Sequence, residues 1–241
     1  MKAVGLLVRR ELGAYLNTSW GWSILAFVLL IDGLLFNLLA LGSREQYSAD
    51  VLSKFFEISS GTTMIAGILL TMRLLAEERQ TGTMVILETA PISEAQVVIG
   101  KFLGAWCFLA IITLLTAYMP ALIFVHGRVS VAQIMTGYLG LLSLGAAAVA
   151  IGTFGSALAK NQLLAAVIGG GLLVIMITAW FLGQVTSPPV SGIFSYMALW
   201  ESHFQPFMEG RINTEGLVYY CSVSAAFLLL ATRSLQLGRW R

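Results

Sequence analysis

The stretch LLAEERQTGTMVILETAPISEAQ, from Leu74 to Gln96, places a charged and turn-rich insert between two long apolar runs. It carries four of the chain's twelve acidic residues, whereas most other charges are scattered singly. Its first charged residues, Glu77, Glu78 and Arg79, are too polar for the interior of a bilayer, so they indicate where a helix leaves the membrane. The insert therefore predicts a loop between two helices that cross a membrane.

The composition of the whole chain supports a membrane fold. Its 241 residues are 58% hydrophobic and 11% charged, with a mean hydropathy of +0.84. A soluble domain is about 25% charged, and one of this size could not keep so much apolar surface away from water. We therefore expect an all-α membrane protein with several spans. The net charge of +2 neither favours nor excludes nucleic acid, and no nucleic acid partner is expected.

Six apolar segments are candidate spans, since a helix crosses the hydrocarbon with about 20 mostly apolar residues. The segments are Trp20–Leu41, Phe55–Leu75, Val98–Val125, Val131–Leu158, Leu163–Val185 and Leu217–Thr232. The last is the shortest, and its helix could extend at either end. The longest polar connection has about thirty residues, so residues 1–241 are expected to form a single transmembrane domain.

The Lys and Arg residues predict the orientation of the spans. The side that holds both termini and the insert receives ten of them, whereas the other side receives four. Cytoplasmic loops carry the excess of Lys and Arg, so both termini are expected in the cytoplasm. Residues 1–19 include the amphipathic sequence LLVRRELGAYL, which predicts either an interfacial helix with basic residues toward the headgroups or a simple basic anchor.

The insert itself, residues 76–97, predicts a turn followed by a short helix. Gly82 permits backbone angles that other residues resist, and Thr83 suits the N-cap of a following helix. That helix would hold the apolar run 84–87, which is too short to span, and would stop before Pro91. An exposed apolar run needs cover, either from the membrane surface or from a docked protein, and the residues alone leave both alternatives open.

The helix after the insert has a clear start signal. Ser93 and Gln96 have the spacing of a capping box, and Glu94 suits the positive end of a helix. The third span is expected to follow directly from this cap.

Three stretches of the sequence resemble one family of membrane proteins. EERQTGTMVILETAPIS at 77–93, followed by GKFLGAW at 100–106, resembles the loop between the second and third spans of ABC-2 type ABC-transporter permeases. The N-terminal RRELGAYLNTSWGW agrees with that family. The C-terminal sequence from SYMALWESHF to the end is similar to the gliding-motility-associated permease branch. The resemblance extends over nearly the whole chain.

The resemblance implies a half-transporter without catalytic residues, so the chain is not expected to be an enzyme. It would pair with a second permease chain, in a homodimer or heterodimer of a bacterial inner membrane, and each chain would dock a cytosolic ATPase. No cofactor is expected in this chain, because ATP and Mg would bind the ATPase. The short helix after Gly82 would be the coupling helix. The implied coupling residues are Glu77, Glu78, Arg79, Gly82, Thr83, Met84, Ile86, Leu87 and Pro91.

Two residues of the insert depart from the family pattern. Val85 stands where an acidic residue is common, and Glu88 stands where the family often has an apolar one. These departures leave the individual ATPase contacts open, although the location of the loop is unaffected.

Polar and small residues inside the spans give further candidates for a pathway or a subunit interface. Asp32 lies near the middle of the first span, where a carboxylate costs roughly 2.5–3.5 kcal/mol. It could line a pathway or be hydrogen-bonded as a neutral carboxyl, and Asn37 is too far around the helix to share its face. Gly152 and Ser156 have small-xxx-small spacing, which predicts either tight internal packing or a subunit interface.

Residues 186–215 connect the fifth and sixth spans and are rich in aromatic and charged residues. By resemblance, they form a re-entrant helical element at the outer mouth, with Trp200, His203 and Phe204 as its candidate residues. A metal site is not expected, because His126 is the only other histidine.

The sequence supports two functions of different kinds. The first is a permease subunit that moves a substrate across the membrane with ATP hydrolysed by a separate subunit. The alternative is an ATP-driven mechanotransmitter or anchor of a gliding-type cell-envelope machine, with a periplasmic accessory protein and no transported substrate. A secondary transporter fits less well, since such proteins carry more intramembrane charges than this chain, in which Asp32 is nearly alone.

Overall fold

The computed structural model describes residues 2–41, 47–84, 92–126, 130–187 and 190–238, and the regular structure in these ranges is helical. The helices are α1 (Lys2–Asn17), α2 (Ser19–Leu35), a π-helical segment (Phe36–Leu41), α3 (Ser48–Thr71), α4 (Ala76–Gln80), α5 (Glu94–Leu115), α6 (Tyr118–His126), α7 (Val131–Leu158), α8 (Gln162–Val185), α9 (Val190–Met197), α10 (Gln205–Met208) and α11 (Thr214–Gly238).

Six of the described segments are long and apolar enough to cross a membrane. They are Ser19–Leu39, Ser48–Gln80, Glu94–Phe124, Val131–Leu158, Gln162–Val185 and Thr214–Leu237. The predicted all-helical architecture with six candidate spans is confirmed.

Several helix boundaries differ from the predicted spans. α3 begins at Ser48 rather than Phe55, because its first turns are polar and carry a Lys54–Glu57 ion pair of 2.7 Å. α11 extends beyond the predicted span at both ends, to Thr214 and Gly238. Helices with polar ends extend past the hydrocarbon, so hydropathy alone shortens them.

The third predicted span is divided into two helices. α5 ends at Leu115, and α6 begins at Tyr118 after a turn. Pro120 lies in the first turn of α6, where its missing N–H is tolerated. In one continuous helix its ring would collide with the carbonyl four residues earlier, so the proline accounts for the break.

α7 is the central helix of the bundle and packs against α3, α5, α8 and α11. Every side chain from residue 147 to residue 151 is fully buried. Glycines allow the neighbours to come close. A Cβ added at Gly152 would lie 2.0 Å from Thr71 Oγ1, and one at Gly155 would lie 2.6 Å from the backbone nitrogen of Gly169.

The small-residue pair Gly152 and Ser156 therefore lies inside this chain. Gly152 faces α3, and Ser156 is fully buried against the turn that follows α3. This placement favours internal packing over a surface for a second chain.

The two ends of the bundle hold different short helices. α1 and α4 lie at one end, together with the start of α5, and we call this the proximal end. α9 and α10 lie at the other end, within the predicted element 186–215, and we call this the distal end.

Candidate functional site

The described part of the insert is anchored to α7 at the proximal end. After α3, the backbone N–H groups of Leu75 and Ala76 donate to Ser156 Oγ at 3.0 and 3.1 Å. Arg79 on α4 donates to the carbonyl oxygen of Ala159 at 3.1 Å. These bonds hold both ends of the short helix α4 against the end of α7.

The turn after α4 depends on a glycine, as the sequence predicts. Gly82 has a φ of +74°, in the left-handed region, and a Cβ there would meet nothing within 4 Å. Conformation rather than space therefore requires glycine at this position. The hydroxyls of Thr81 and Thr83 lie 2.9 Å apart and close the turn.

Several predicted coupling residues lie beyond this turn. Met84 is half-buried and is the last described residue before residues 85–91. Ile86, Leu87 and Pro91 fall in residues 85–91, which lie outside the described residues, together with the atypical Val85 and Glu88.

The chain re-enters the bundle through the predicted capping box. Gln96 N–H donates to Ser93 Oγ at 3.3 Å, and Ser93 N–H donates to Gln96 Oε1 at 3.2 Å. Glu94 occupies the first turn of α5. The predicted start signal is confirmed, because both hydrogen bonds of the cap are local in sequence.

Four charged side chains form a cluster where the insert meets α1 and α5. Lys101 of α5 has a side chain only 2% exposed, and its Nζ donates to Glu11 Oε1 at 3.1 Å and Glu78 Oε1 at 2.9 Å. Arg10 Nη2 donates to the same two oxygens at 2.9 Å each. We call Arg10, Glu11, Glu78 and Lys101 the charge cluster; it joins α1, α4 and α5.

Glycines on α5 let α1 come close enough to form this cluster. A Cβ at Gly100 would lie 2.7 Å from Leu7 Cβ, and one at Gly104 would lie 2.6 Å from Glu11 Cβ. Burial opposes the charged form of Arg10, but the hydrogen bonds and charges of Glu11 and Glu78 outweigh it and raise the pKa of Arg10. The cluster is therefore a set of paired charges at a close helix contact.

A second charged pair lies beside the cluster. Arg73 donates to both carboxylate oxygens of Glu77, and its guanidinium lies 5.7 Å from the ring centre of Trp20. Tyr15 of α1 donates to the carbonyl of Leu70 at 2.9 Å, and burial raises the pKa of Tyr15. The N-terminal helix is thus fixed to α3 as well as to α5.

The comparison with known protein families agrees with this architecture. A family model described as ABC-2 family transporter protein matches residues 7–199. The chain belongs to the ABC-2 transporter family. A search of curated proteins finds no match. ABC-2 permeases are membrane components, not themselves catalytic, that normally work with an ATPase subunit and form a dimer.

The sequence interpretation of this ABC-2 domain missed most of the charge cluster. It placed Glu78 at the boundary with water, whereas the carboxylate is mostly buried against Lys101. Lys101 carried a usable signal, because a lysine inside an apolar run needs a carboxylate partner. Neither pattern nor spacing identifies Glu11, ninety positions away, as that partner.

Asp32 of the ABC-2 domain is buried between the first two spans. Its Oδ1 accepts from Thr62 Oγ1 at 2.7 Å, and Ser59 Oγ lies 3.5 Å from its Oδ2. Asn37 is exposed in the π-helical segment, so the structure does not bring the two together. The environment of Asp32 matches the interpretation of a hydrogen-bonded carboxyl.

The predicted distal residues belong to an aromatic core. His203 stacks on Tyr219 with ring centres 3.7 Å apart, and its Nδ1 lies 3.0 Å from the carbonyl oxygen of Ala198. Trp200 Nε1 donates to Ser60 Oγ at 2.8 Å, and Phe204 is fully buried. Burial lowers the pKa of His203. The described residues contain no group of three or more His, Cys, Asp or Glu side chains that could hold a metal ion.

Proposed function

We propose that this chain is the permease subunit of an ABC transporter, which moves a substrate across the inner membrane with ATP hydrolysed by a separate cytosolic subunit. The supporting observation is the ABC-2 family match over residues 7–199 of a six-span helical bundle. A second permease chain completes the pathway, as a homodimer or heterodimer.

The insert transmits the ATPase movement in this proposal. Residues 84–91 dock on the ATPase, and α4 connects them to the bundle. Ser156 and Ala159 hold α4 to α7, while Glu78 holds it to Lys101 of α5 and to Arg10 of α1. A displacement of α4 therefore moves the central helix and the N-terminal helix together.

The positive φ of Gly82 gives a direct test. Gly82→Ala introduces a side chain into a left-handed turn, which costs about 1–2 kcal/mol. Gly170→Ala is the matched control, because a Cβ there also meets nothing within 4 Å but the residue lies inside α8. Each variant is purified with its bound ATPase, and ATP hydrolysis by the complex is measured.

We expect Gly82→Ala to reduce ATPase stimulation several-fold while the chain still inserts, with Gly170→Ala close to wild type. Thr83→Arg should act in the same direction, because it places a charge where the coupling segment begins. Wild-type ATPase activity in both insert variants would refute the role of this loop.

A second candidate function is force transmission to the cell envelope. Its support is the distal end, where Phe204 and Phe207 are fully buried and pack against α7 at Gly140. A gliding-type machine would use this tightly packed end to contact a periplasmic accessory protein. A continuous path through the dimer in a structure of the complex favours transport, whereas a sealed interface favours force transmission.

A further inference from the structure

A narrow stripe of side chains attaches the first span to the rest of the bundle. Four of the 17 residues of α2 are buried, whereas 14 of the 24 residues of α3 are buried. The four are Gly21, Ile24, Val28 and Asp32, which recur every three or four positions and so share one helix face. Among the described residues of α2, Asp32 is the one whose side chain hydrogen-bonds to another span. The contact of Asp32 with α3 is therefore the polar part of this attachment.

The hydroxyl of Thr62 lies within hydrogen-bond distance of two acceptors but has one proton. Its Oγ1 is 2.7 Å from Asp32 Oδ1 and 3.1 Å from the carbonyl oxygen of Ser59. A hydroxyl donates one hydrogen bond and can accept others. If Asp32 is ionised, Thr62 donates to it and has no second proton for Ser59. If Asp32 is protonated, its O–H donates to Thr62 Oγ1 and Thr62 donates to Ser59, so both contacts are hydrogen bonds.

The surroundings of Asp32 favour the protonated carboxyl. Asp32 is 1% exposed, and among the residues that the structure describes no lysine or arginine forms an ion pair with it. A buried charge without a partner is costly, whereas a neutral hydrogen-bonded carboxyl is not. The titratable groups on the elements around α2 are Lys54 and Glu57 of α3, Tyr118 of α6, Tyr138 of α7 and, at the proximal end, the charge cluster, Tyr15, Arg73 and Glu77. Lys54, the cation nearest to Ser59 along α3, is already paired with Glu57.

The backbone of the first span changes its hydrogen-bond pattern one turn after Asp32. The N–H of Phe36 reaches the carbonyl oxygens of both Asp32 and Gly33, and the π-helical segment begins at this residue. Short π-helical segments are frequent at functional sites, and sharp helix bends often occur at them. The contact between Asp32 and Thr62 therefore lies beside a point where the first span can bend.

We infer that Asp32 and Thr62 form a proton-dependent latch between the first two spans. With its proton, Asp32 completes the chain of hydrogen bonds through Thr62 to the Ser59 carbonyl, and α2 stays on α3. When α2 bends away, water reaches Asp32 Oδ1 and accepts the proton, and the carboxylate that remains is solvated by water. Because the closed form needs the proton and the open form does not, a fall in proton concentration shifts the population toward the open form.

Infrared spectroscopy of the full chain in lipid tests for the proton, because protonated and ionised carboxyl groups absorb at different frequencies. Subtraction of the Asp32→Asn spectrum from the wild-type spectrum at about pH 7 should leave one band of a protonated carboxyl. Glu57→Gln is the matched control, since Glu57 is partly exposed and paired with Lys54, and its subtraction should leave a carboxylate band. Thr62→Val removes the acceptor of the Asp32 proton, so the protonated band should shift in frequency.

Distances between spin labels test for release of the latch. Leu34→Cys and Ile65→Cys place labels at exposed positions of α2 and α3, in a chain whose two native cysteines are replaced by alanine. When the pH is raised from about 6 to about 9, the ratio of separated to closed molecules should rise, by at most about tenfold per pH unit, the limit for one proton. Asp32→Asn keeps a donor for Thr62 and cannot titrate, so its labels should stay close at both pH values.

Three results would overturn the latch. One is a carboxylate band for Asp32 at about pH 7, and another is the same pH response of the label distance in wild type and Asp32→Asn, which would assign the response to another group. The third is a wild-type label distance that does not change with pH, which would leave Asp32 with a structural hydrogen bond only. If Asp32→Asn does not fold, an unshifted protonated band in Thr62→Val contradicts the pairing, and ATPase activity does not enter any of these measurements.

Discussion

The two ends of the bundle are stabilised in opposite ways. At the proximal end, buried charges join three helices. At the distal end, rings stack and neutral side chains donate to backbone carbonyls, as Tyr220 does to Leu199 at 2.8 Å. Charge pairs therefore hold the proximal end together, whereas aromatic packing holds the distal end together. Loss of a charge partner should therefore destabilise the proximal end, and loss of a ring should destabilise the distal end.

Among the changes that test this difference between the two ends, removal of the buried Lys101 should lower the stability most. Lys101→Met leaves Glu11 and Glu78 with the partly exposed Arg10 as their only cation in the charge cluster. Breaking a buried ion pair costs about 3–5 kcal/mol. We expect a correspondingly lower melting temperature, measured by thermal unfolding in detergent.

The control for this change is Lys160→Met, because Lys160 is exposed between α7 and α8. Addition of Glu78→Gln to Lys101→Met should recover part of the loss, since it removes one uncompensated charge. A melting temperature equal to that of Lys160→Met would mean that the cluster does not stabilise the proximal end.

The aromatic end should respond to loss of packing instead of loss of charge. Phe204→Ala removes a fully buried ring and is expected to cost about 3 kcal/mol. The loss should not depend on salt concentration, because no charge is involved. Phe181→Ala, at an exposed position of α8, should stay near wild type in the same unfolding measurement. An equal loss in both variants would contradict the packed distal core.

Acidification should lower the stability of the distal end through His203. We expect this effect to be smaller than the effects of Lys101→Met and Phe204→Ala. Burial lowers the pKa of His203 below the ordinary value of 6.5, so the unfolded chain binds a proton more readily than the folded one. Stability is therefore complete above about pH 6.5 and is lost as the pH falls toward the lowered pKa. His203→Phe keeps a ring against Tyr219 and should melt at nearly the same temperature at pH 7.5 and pH 5.5.

His126→Gln is the control for this pH experiment, because His126 is the only other histidine. If the wild-type protein and His203→Phe lost the same stability on acidification, another group would be responsible.

Local signals predicted the local features of this fold. The capping box of Ser93 and Gln96 joins residues three positions apart, and the turn at Gly82 follows from one residue's conformational freedom. Apolar length predicted six spans. The helix ends were predicted less accurately. Hydropathy predicts one continuous third span, whereas Pro120 divides it into two helices.

The candidate site required contacts that no local pattern specifies. Lys101 and Glu11 are 90 positions apart, and Lys101 and Glu78 are 23 apart. Three other carboxylates of the insert region, Glu77, Glu88 and Glu94, were equally available in the sequence. Gly100 and Gly104 decide the pairing, because they let α1 approach α5.

The contact between α1 and α5 also sets an order of events during synthesis. Glu11 leaves the ribosome 90 positions before Lys101, its partner in the finished protein. At about 5–20 residues per second, that interval lasts roughly 5–20 s. During this time Gly100, on which Leu7 finally packs, has not yet been synthesised. Because α1 is amphipathic, it can lie on the membrane surface until the third span has been synthesised and packs against it.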